Sequence, residues 1–246
     1  MYHFFVEPDQ VHEDYVELLG DDVNHMKNVL RMRAGEEISV NDGSGREYRC
    51  RVESYTKGTA RATIIERLMS NTELPSRLVL YQCLPKGDKM ELIIQKAVEL
   101  GAAAIVPVSS ARCVVKLDEM KARKKQQRWQ EIARSAAKQS GRSQIPTVEP
   151  VQSFPEALQS AAELDVRLIP YEKESSSIER TRGILSGIGK GQSVGVFVGP
   201  EGGFESAEAE AAAEAGVIPI TLGRRILRTE TAAISILSIL MFQLEV

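Results

Sequence analysis

Hydrophobic and polar residues alternate between residues 36 and 68, as they do in β-strands with one buried face. The alternation runs through residues 37–40, 48–52 and 59–65, with turns at residues 42–45 and 57–58. Such runs, separated by glycine-containing turns, predict a small antiparallel sheet or barrel. The polar residues 70–73 that follow predict a linker.

The pattern changes after this linker. A continuous apolar run at residues 78–84 is followed by a helical pattern between Asp88 and Gly101 and by a second apolar run at residues 104–108. A strand, a helix and a strand in this order predict a βαβ unit and therefore a parallel sheet. Further strands are predicted at residues 166–170, 193–198 and 217–222. We therefore predict a small β-domain over residues 1–72 and an α/β domain over residues 73–246.

Two glycine-rich segments, each placed after an apolar strand and before a helix, carry the strongest functional signal. The first glycine loop is residues 199–204 and the second glycine loop is residues 222–231. Turns at the carboxyl ends of parallel strands bring bare backbone amides close to a ligand. An ordinary strand-to-helix turn is the alternative, but it does not need three glycines and a proline within residues 199–203. The first glycine loop lacks the lysine and hydroxyl of a phosphate-binding loop. Residues 187–191 have the wrong spacing and a glycine in place of the hydroxyl, so we do not expect nucleoside triphosphate hydrolysis.

The second glycine loop is also unusually basic. It carries Arg224, Arg225 and Arg228 at the entrance of an almost wholly apolar helix, predicted at residues 232–244. Positive charge at a helix amino terminus opposes the macrodipole, which indicates an anion nearby, such as a nucleic-acid phosphate. The alternative is that the arginines pair with the carboxylates Glu201, Glu205 and Glu230.

The charge of the chain is distributed unevenly. The formal net charge of the 246 residues is −3, which argues against a uniformly basic coat for nucleic acid. Residues 112–142 nevertheless hold ten Lys or Arg against three Asp or Glu, mostly on one predicted helix. Such a run is either a solvated helix face or a stripe that contacts phosphates.

The cysteines and the apolar runs bear on the cellular compartment. The three cysteines, Cys50, Cys83 and Cys113, are odd in number and widely spaced, which is typical of buried thiols in a reducing cytosol. No histidine lies near them to complete a metal site. The chain starts without the features of a secretory signal, and no apolar run reaches the ~20 residues that span a bilayer. We expect a cytoplasmic protein with no membrane contact.

Six motifs in order connect the chain to a known family. They are residues 25–31 with Gly35, 86–91, 95–101, 139–142, 199–203 and 227–232. With these motifs the chain resembles, over essentially its whole length, the ribosomal RNA small subunit methyltransferase E family of the SPOUT class. The resemblance implies a PUA-like RNA-binding β-barrel followed by an α/β domain whose parallel sheet carries a trefoil knot. It also implies that S-adenosylmethionine is the methyl donor, that no metal is required, and that the product is N3-methyluridine in 16S ribosomal RNA.

The resemblance assigns candidate residues to the reaction. The cofactor-binding residues are expected to be Val198, Gly199, Glu201, Gly202, Leu222, Gly223, Ile226, Leu227 and Arg228. Arg228 is also expected to stabilise the uracil anion or to hold its phosphate. Glu230, or a water next to it, is expected to take the N3 proton; alternatively it only complements the helix dipole. All three histidines lie within the first 25 residues, so a histidine base is not expected.

The expected partner is 16S ribosomal RNA in the small ribosomal subunit, contacted by both domains. The residues expected to bind RNA are Lys27, Arg31, Arg33, Lys86, Lys89, Arg112, Lys124, Arg128 and Arg142. The apolar last helix is predicted to be buried, either in the core or in a subunit interface, and the family favours a homodimer. Two other functions fit the same motifs: a non-catalytic RNA-binding or ribosome-assembly module, and a SPOUT methyltransferase that acts on transfer RNA.

Overall fold

The structure, a computed structural model, describes residues 1–69, 72–171 and 177–245 and divides into two compact units. The first unit contains Met1–Glu73 and also Ala137–Ile145, and the second contains Leu74–Ala136 and Pro146–Val246. Two residues of the predicted linker, Ser70 and Asn71, lie outside the described residues.

The first unit is built on a five-stranded sheet. Its strands are β1 (Tyr2–Phe5), β2 (Tyr15–Leu19), β3 (Glu37–Asn41), β4 (Arg46–Tyr55) and β5 (Thr59–Met69), in the order β1-β3-β4-β5-β2. A short helix α1 (Asp21–Asn24) and a π-helical turn (His25–Val29) follow β2. The three predicted strands are confirmed as β3, β4 and β5. The sequence pattern missed β1 and β2, because β1 is short and pairs in parallel with a strand more than thirty residues away.

Alternation along these strands places one set of side chains in the core of the first unit. Ile38, Val40, Cys50 and Val52 are at most 1% exposed, and helix α1 with its following turn adds Met26 to the same cluster. The opposite face carries charged side chains that pair across strands. The pairs are Arg49 with Glu66, Arg51 with Glu37 and Arg61 with Glu53, at 3.0, 2.9 and 3.0 Å.

A buried ion pair joins residues 137–145 to the rest of the first unit. The guanidinium of Arg142, a residue only 5% exposed, binds the carboxylate of Glu73. The amides of Ser143 and Gln144 donate to the same carboxylate at 2.9 and 3.2 Å. Burial by itself raises the pKa of Glu73, but Arg142 and these amides together hold it below its ordinary value. Arg142 thus has a structural partner inside the protein, and its predicted RNA contact stays a prediction.

The second unit is a parallel sheet covered by helices. Its strands are β6 (Leu78–Cys83), β7 (Ala104–Ser109), β8 (Thr147–Val148), β9 (Gln152–Ser153), β10 (Val166–Pro170), β11 (Val194–Val198) and β12 (Ile218–Ile220). Its helices are α2 (Lys89–Glu99), α3 (Glu119–Ser140), α4 (Phe154–Ser160), α5 (Ile178–Ser186), α6 (Ser206–Glu214) and α7 (Thr229–Leu244), and the last four residues of α3 belong to the first unit. The strand order is β12-β10-β11-β6-β7-β8, with β9 also pairing with β7, and every pairing is parallel. This confirms the predicted βαβ unit and the α/β class with its parallel sheet, while the trefoil knot stays a prediction.

Helix α7 differs from its prediction in extent and in burial. It begins at Thr229 with Arg228 as N-cap, three residues before the predicted start at Ala232. One face is buried in the sheet and helix core, but Ile239 and Phe242 on another face are 44% and 78% exposed. The core of the single chain therefore buries only part of α7, while Ile239 and Phe242 face outward, and burial of these residues in a subunit interface stays a prediction.

Candidate active site

A cavity of about 310 Å³ lies at the carboxyl ends of three adjacent strands, β10, β11 and β12. Its walls come from the end of each strand and the segment that follows it: Pro170 and Tyr171 for β10, Val198–Glu201 with Gly203 and Phe204 for β11, and Thr221–Thr229 with Ala232 for β12. Both glycine loops therefore meet at one site. This is the edge at which open parallel sheets bind ligands, because the strands end there and the connecting turns diverge.

The first glycine loop owes its shape to a side chain that folds back onto it. Phe204 is 3% exposed and packs on Phe154 with ring centroids 5.4 Å apart. A Cβ at Gly199 would come within 3.2 Å of the Phe204 ring, so a side chain there would displace the ring. Gly203 has φ +65°, a left-handed conformation that favours glycine. The loop therefore presents bare backbone to the cavity because its glycines make room for a buried phenylalanine.

Arg112 braces the first glycine loop from outside. Its guanidinium Nη1 donates to the carbonyl of Gly202 at 2.9 Å and its Nε lies 3.8 Å from Glu205. The neighbouring amide of Ala111 donates to Glu208 at 2.8 Å, which links the same segment to the first turn of α6. Arg112, expected to contact RNA, therefore supports the loop in this structure.

Lys89, at the start of α2, lies between two carboxylates. Its Nζ is 2.9 Å from Glu201 Oε1 and 3.4 Å from Glu230 Oε2. The amide of Lys86 also donates to Glu201 Oε1 at 3.1 Å. Burial by itself raises the pKa of Glu201, but the bonds from Lys89 and from backbone amides lower it below its ordinary value, and the hydrogen bond to Glu201 raises the pKa of Lys89. One ammonium thus faces two carboxylates beside the first glycine loop.

A buried hydroxyl connects the two walls of the cavity. Thr229 Oγ1 donates to the carbonyl of Gly199 at 2.6 Å and accepts from Gln82 Nε2 at 2.9 Å. Thr229 is 4% exposed and Gln82, at the end of β6, is 0% exposed. Hydrogen bonds without competing water hold geometry more firmly than exposed ones. The first turn of α7 therefore fixes the position of the first glycine loop.

The second glycine loop connects the end of β12 to the start of α7 and is exposed in its middle part. Gly223 has φ +111°, and its amide donates to the hydroxyl of Thr221 at 3.2 Å. Beyond this turn Arg224 and Arg225 are exposed, and Ile226 is 85% exposed. The loop thus extends a cationic and apolar rim around the cavity before α7 begins.

Most of the predicted cofactor residues come together at this cavity. Eight of the nine line it: Val198, Gly199, Glu201, Leu222, Gly223, Ile226, Leu227 and Arg228. Gly202 lies outside the lining, and Glu230 lies in the first turn of α7 beside Lys89. The sequence pattern missed Pro170 and Tyr171, because it does not reveal that β10 lies between β11 and β12. It also missed Gln82 and Thr229, which only a buried contact 147 residues apart in sequence connects.

The other residues expected to bind RNA are divided between the two units. In the first unit, Arg31 and Arg33 are exposed, and Lys27 Nζ donates to the carbonyl of Thr56 at 3.1 Å. In the second unit, Lys86 and Lys124 are exposed, and Arg128 pairs with Glu91 at 2.7 Å while its side chain stays 63% exposed.

The cysteines are free and buried, as their spacing indicates. Burial raises the pKa of Cys50 to about 12, whereas a hydrogen bond with Cys83 lowers that of Cys113 to about 6. Among residues 1–69, 72–171 and 177–245, no group of three or more His, Cys, Asp or Glu side chains is arranged to hold a metal ion. Within the same described ranges, no helix has the length and apolar character needed to cross a membrane.

Comparison with known proteins gives matches along nearly the whole chain. A family model described as an RNA methyltransferase domain matches residues 72–241, and one described as an RNA methyltransferase PUA domain matches residues 18–65. The chain is 42% identical over 230 residues to the ribosomal RNA small subunit methyltransferase E of Bacillus subtilis, covering 93% of this chain and 90% of that protein.

Two solved structures share the fold and were determined with a bound ligand. One is a ribosomal RNA small subunit methyltransferase E from Neisseria gonorrhoeae bound to S-adenosylmethionine, with 36% identity, a TM-score of 0.84 and coverage of 97% of this chain and 95% of that one. The other is a putative methyltransferase from Legionella pneumophila in complex with the same cofactor, with 33% identity, a TM-score of 0.84 and coverage of 98% and 96%.

Proposed function

Because the chain belongs to the ribosomal RNA small subunit methyltransferase E family, we propose that it transfers the methyl group of S-adenosylmethionine to N3 of a uridine in 16S ribosomal RNA. The observation that carries this proposal is the cavity formed by both glycine loops at the carboxyl ends of β10, β11 and β12. Relatives with the same fold bind S-adenosylmethionine.

The lining of the cavity suits a purine nucleoside with an attached amino acid. Val198, Leu222, Ile226 and Leu227 supply apolar surface for a purine, and the bare backbone at Gly199 and Gly223 supplies amides and carbonyls for its polar atoms. When bound, S-adenosylmethionine supplies an electrophilic methyl group on a sulfonium, so the transfer needs no metal.

The chemistry at N3 of uridine requires an acceptor for one proton and a positive charge near the uracil oxygens. The N3–methyl bond forms as the sulfur–methyl bond breaks, the sulfur leaves as a neutral thioether, and the N3 proton passes to a base. Arg228 lines the cavity and is exposed, so it is assigned to stabilise the developing uracil anion.

Glu230 is assigned as the proton acceptor, directly or through a water. Lys89 Nζ lies 2.9 Å from Glu201 but 3.4 Å from Glu230, so Glu230 is the less tightly paired of the two carboxylates. Glu201 is the weaker candidate, because its hydrogen bonds hold its pKa below the ordinary value. In Glu230→Gln the side chain keeps its size but loses its basicity, so we expect at least a hundredfold loss of methylation with unchanged affinity for S-adenosylhomocysteine.

The exposed stripe of α7 supports assembly of the protein as a homodimer. Ile239 and Phe242 leave apolar area in contact with water in the single chain, and Leu92 on the neighbouring helix α2 is 42% exposed. Exposed apolar side chains on neighbouring helices are typical of protein interfaces. We assign this stripe to the interface between the two chains of the dimer.

We further assign the protein to the cytoplasm, because its proposed substrate is the small ribosomal subunit.

The decisive experiment mixes the purified protein with labelled S-adenosylmethionine and small ribosomal subunits that lack the modification, and then locates the methyl group in the RNA. Naked 16S ribosomal RNA and bulk transfer RNA serve as alternative substrates. Label at N3 of one uridine of 16S ribosomal RNA supports the proposal. Label in transfer RNA alone would refute the proposal in favour of a transfer RNA methyltransferase. Binding of ribosomal subunits without any methyl transfer would refute it in favour of a non-catalytic RNA-binding or ribosome-assembly module.

A further inference from the structure

The three arginines of the second glycine loop have no partner among the described residues. Arg224, Arg225 and Arg228 are exposed and line the cavity, and none forms a salt bridge or a side-chain hydrogen bond within the described part of the chain. Three positive charges thus stand within five residues at the rim of the site.

The carboxylates that the sequence offers to these arginines are occupied by other cations. Glu201 and Glu230 pair with Lys89, and Glu205 lies 3.8 Å from Arg112. The pairing between arginines and carboxylates that the sequence leaves open is therefore absent among the described residues. Within the described part of the chain, each of these acids thus has a cation nearby, whereas Arg224, Arg225 and Arg228 have no carboxylate partner.

This arrangement does not serve stability. Arg228 is the N-cap of α7, where a positive charge opposes the helix dipole by about 0.3–1 kcal/mol. Like charges on adjacent residues also repel one another. Ile226, which lies between Arg225 and Arg228, is 85% exposed and presents apolar surface to water. Uncompensated cations beside exposed apolar surface fit a ligand with phosphates and with a ribose or base between them.

The methyl donor is not the anion that this rim selects. S-adenosylmethionine carries a sulfonium, an ammonium and one carboxylate, so its own charge is positive and its binding increases the electrostatic demand for an anion. A polynucleotide supplies one negative charge per residue, and each guanidinium binds a phosphate through two parallel hydrogen bonds.

We infer that Arg224 and Arg225 bind the phosphodiester backbone of the RNA substrate on either side of the target base. The inference rests on the proposed function for the identity of the RNA. It assigns to these two residues, at the rim of the cavity, a contact with the RNA substrate and not with the methyl donor.

The test compares Arg224→Gln, Arg225→Gln and the double variant with Lys190→Gln. Lys190 is an exposed cation in the segment before β11, on the side of the amino ends of the strands, whereas the cavity lies at their carboxyl ends. Its replacement therefore removes the same charge away from the cavity. Unmodified 16S ribosomal RNA, transcribed in vitro, is titrated with each protein saturated with S-adenosylhomocysteine at several salt concentrations. Calorimetry measures the affinity for S-adenosylhomocysteine alone.

We expect each arginine variant to bind RNA about tenfold more weakly at low salt. The slope of log K against log salt is expected to fall by about 0.7–0.9 per arginine removed, and by twice that in the double variant. Arg225→Lys keeps the charge and is expected to keep the slope while it weakens binding. Lys190→Gln and the affinity for S-adenosylhomocysteine are expected to stay within twofold of the original.

Unchanged RNA affinity and slope in the double variant would overturn the inference, as would a loss confined to S-adenosylhomocysteine binding. Failure of the original protein to bind the RNA would overturn it too. Because the readout is binding, RNA that binds through these arginines but is never methylated would refute the proposed function and leave this inference standing. Circular dichroism of each variant shows whether the fold is intact.

Discussion

The hydroxyl of Thr229 joins the two walls of the cavity, and removing it tests how the site keeps its shape. In Thr229→Val a methyl group replaces the hydroxyl at nearly constant volume, so no cavity forms. The carbonyl of Gly199 and one N–H of Gln82 lose their partner at a position where Thr229 is 4% and Gln82 0% exposed. Each buried polar group left without a partner costs about 1–3 kcal/mol, so the two together amount to about 2–6 kcal/mol.

This free energy is expected to appear in two measurements. Urea denaturation is expected to show lower stability, and calorimetry is expected to show at least a tenfold weaker affinity for S-adenosylhomocysteine, since tenfold corresponds to about 1.4 kcal/mol. The affinity falls because Gly199 lines the cavity and its carbonyl is then free to reorient.

Thr229→Ser is the matched control, because it keeps the hydroxyl and loses one methyl group, worth about 0.8 kcal/mol. We expect it to lose some stability and to retain affinity for S-adenosylhomocysteine. If Thr229→Val binds as tightly as Thr229→Ser and unfolds at the same urea concentration, the hydroxyl does not hold the loop and the reasoning is wrong.

Three other changes test the remaining features. Glu73→Gln is expected to lower the unfolding free energy by about 3–5 kcal/mol, because it leaves Arg142 buried without its partner. Since the folded pKa of Glu73 lies below its ordinary 4.5, its contribution is present above pH 4.5 and lost as the pH falls through the folded pKa; acid titration of the variant should lack this loss. Gly199→Ala is expected to weaken S-adenosylhomocysteine binding at least tenfold by displacing Phe204, whereas Gly189→Ala, with its nearest neighbour at 3.6 Å, should not; equal affinities would refute the packing argument. Phe242→Glu is expected to convert a dimer into monomers in sedimentation velocity, with exposed Met120→Glu as control, and a dimer that survives the change would place the interface elsewhere.

The sequence predicts those parts of the fold whose signal is local. Strands β3 to β5 alternate along their own length, and the segment from β6 to β7 carries its helix between two apolar runs. The two glycine loops are likewise visible as short compositional clusters, which is why eight of nine predicted cofactor residues line one cavity.

The parts that the sequence does not predict depend on partners far away along the chain. Tyr171 reaches the cavity because β10 pairs with β11 on one side and β12 on the other, an order that no local pattern encodes. Lys89 and Arg142 look like surface cations in the sequence, yet their carboxylates lie 112 and 69 residues away. A basic residue is therefore a candidate RNA contact only after its possible internal partners are known.

Residues 137–145 return to the first unit after the chain has already built part of the second. During synthesis the amino-terminal unit therefore lacks its last segment until the 72 residues from Leu74 to Ile145 have been added. At about 5–20 residues per second this delay is about 4–14 s, which is long compared with the formation of a hairpin. Glu73 remains without Arg142 during that interval, so we expect the amino-terminal unit to reach its full stability only after Ile145 has been added.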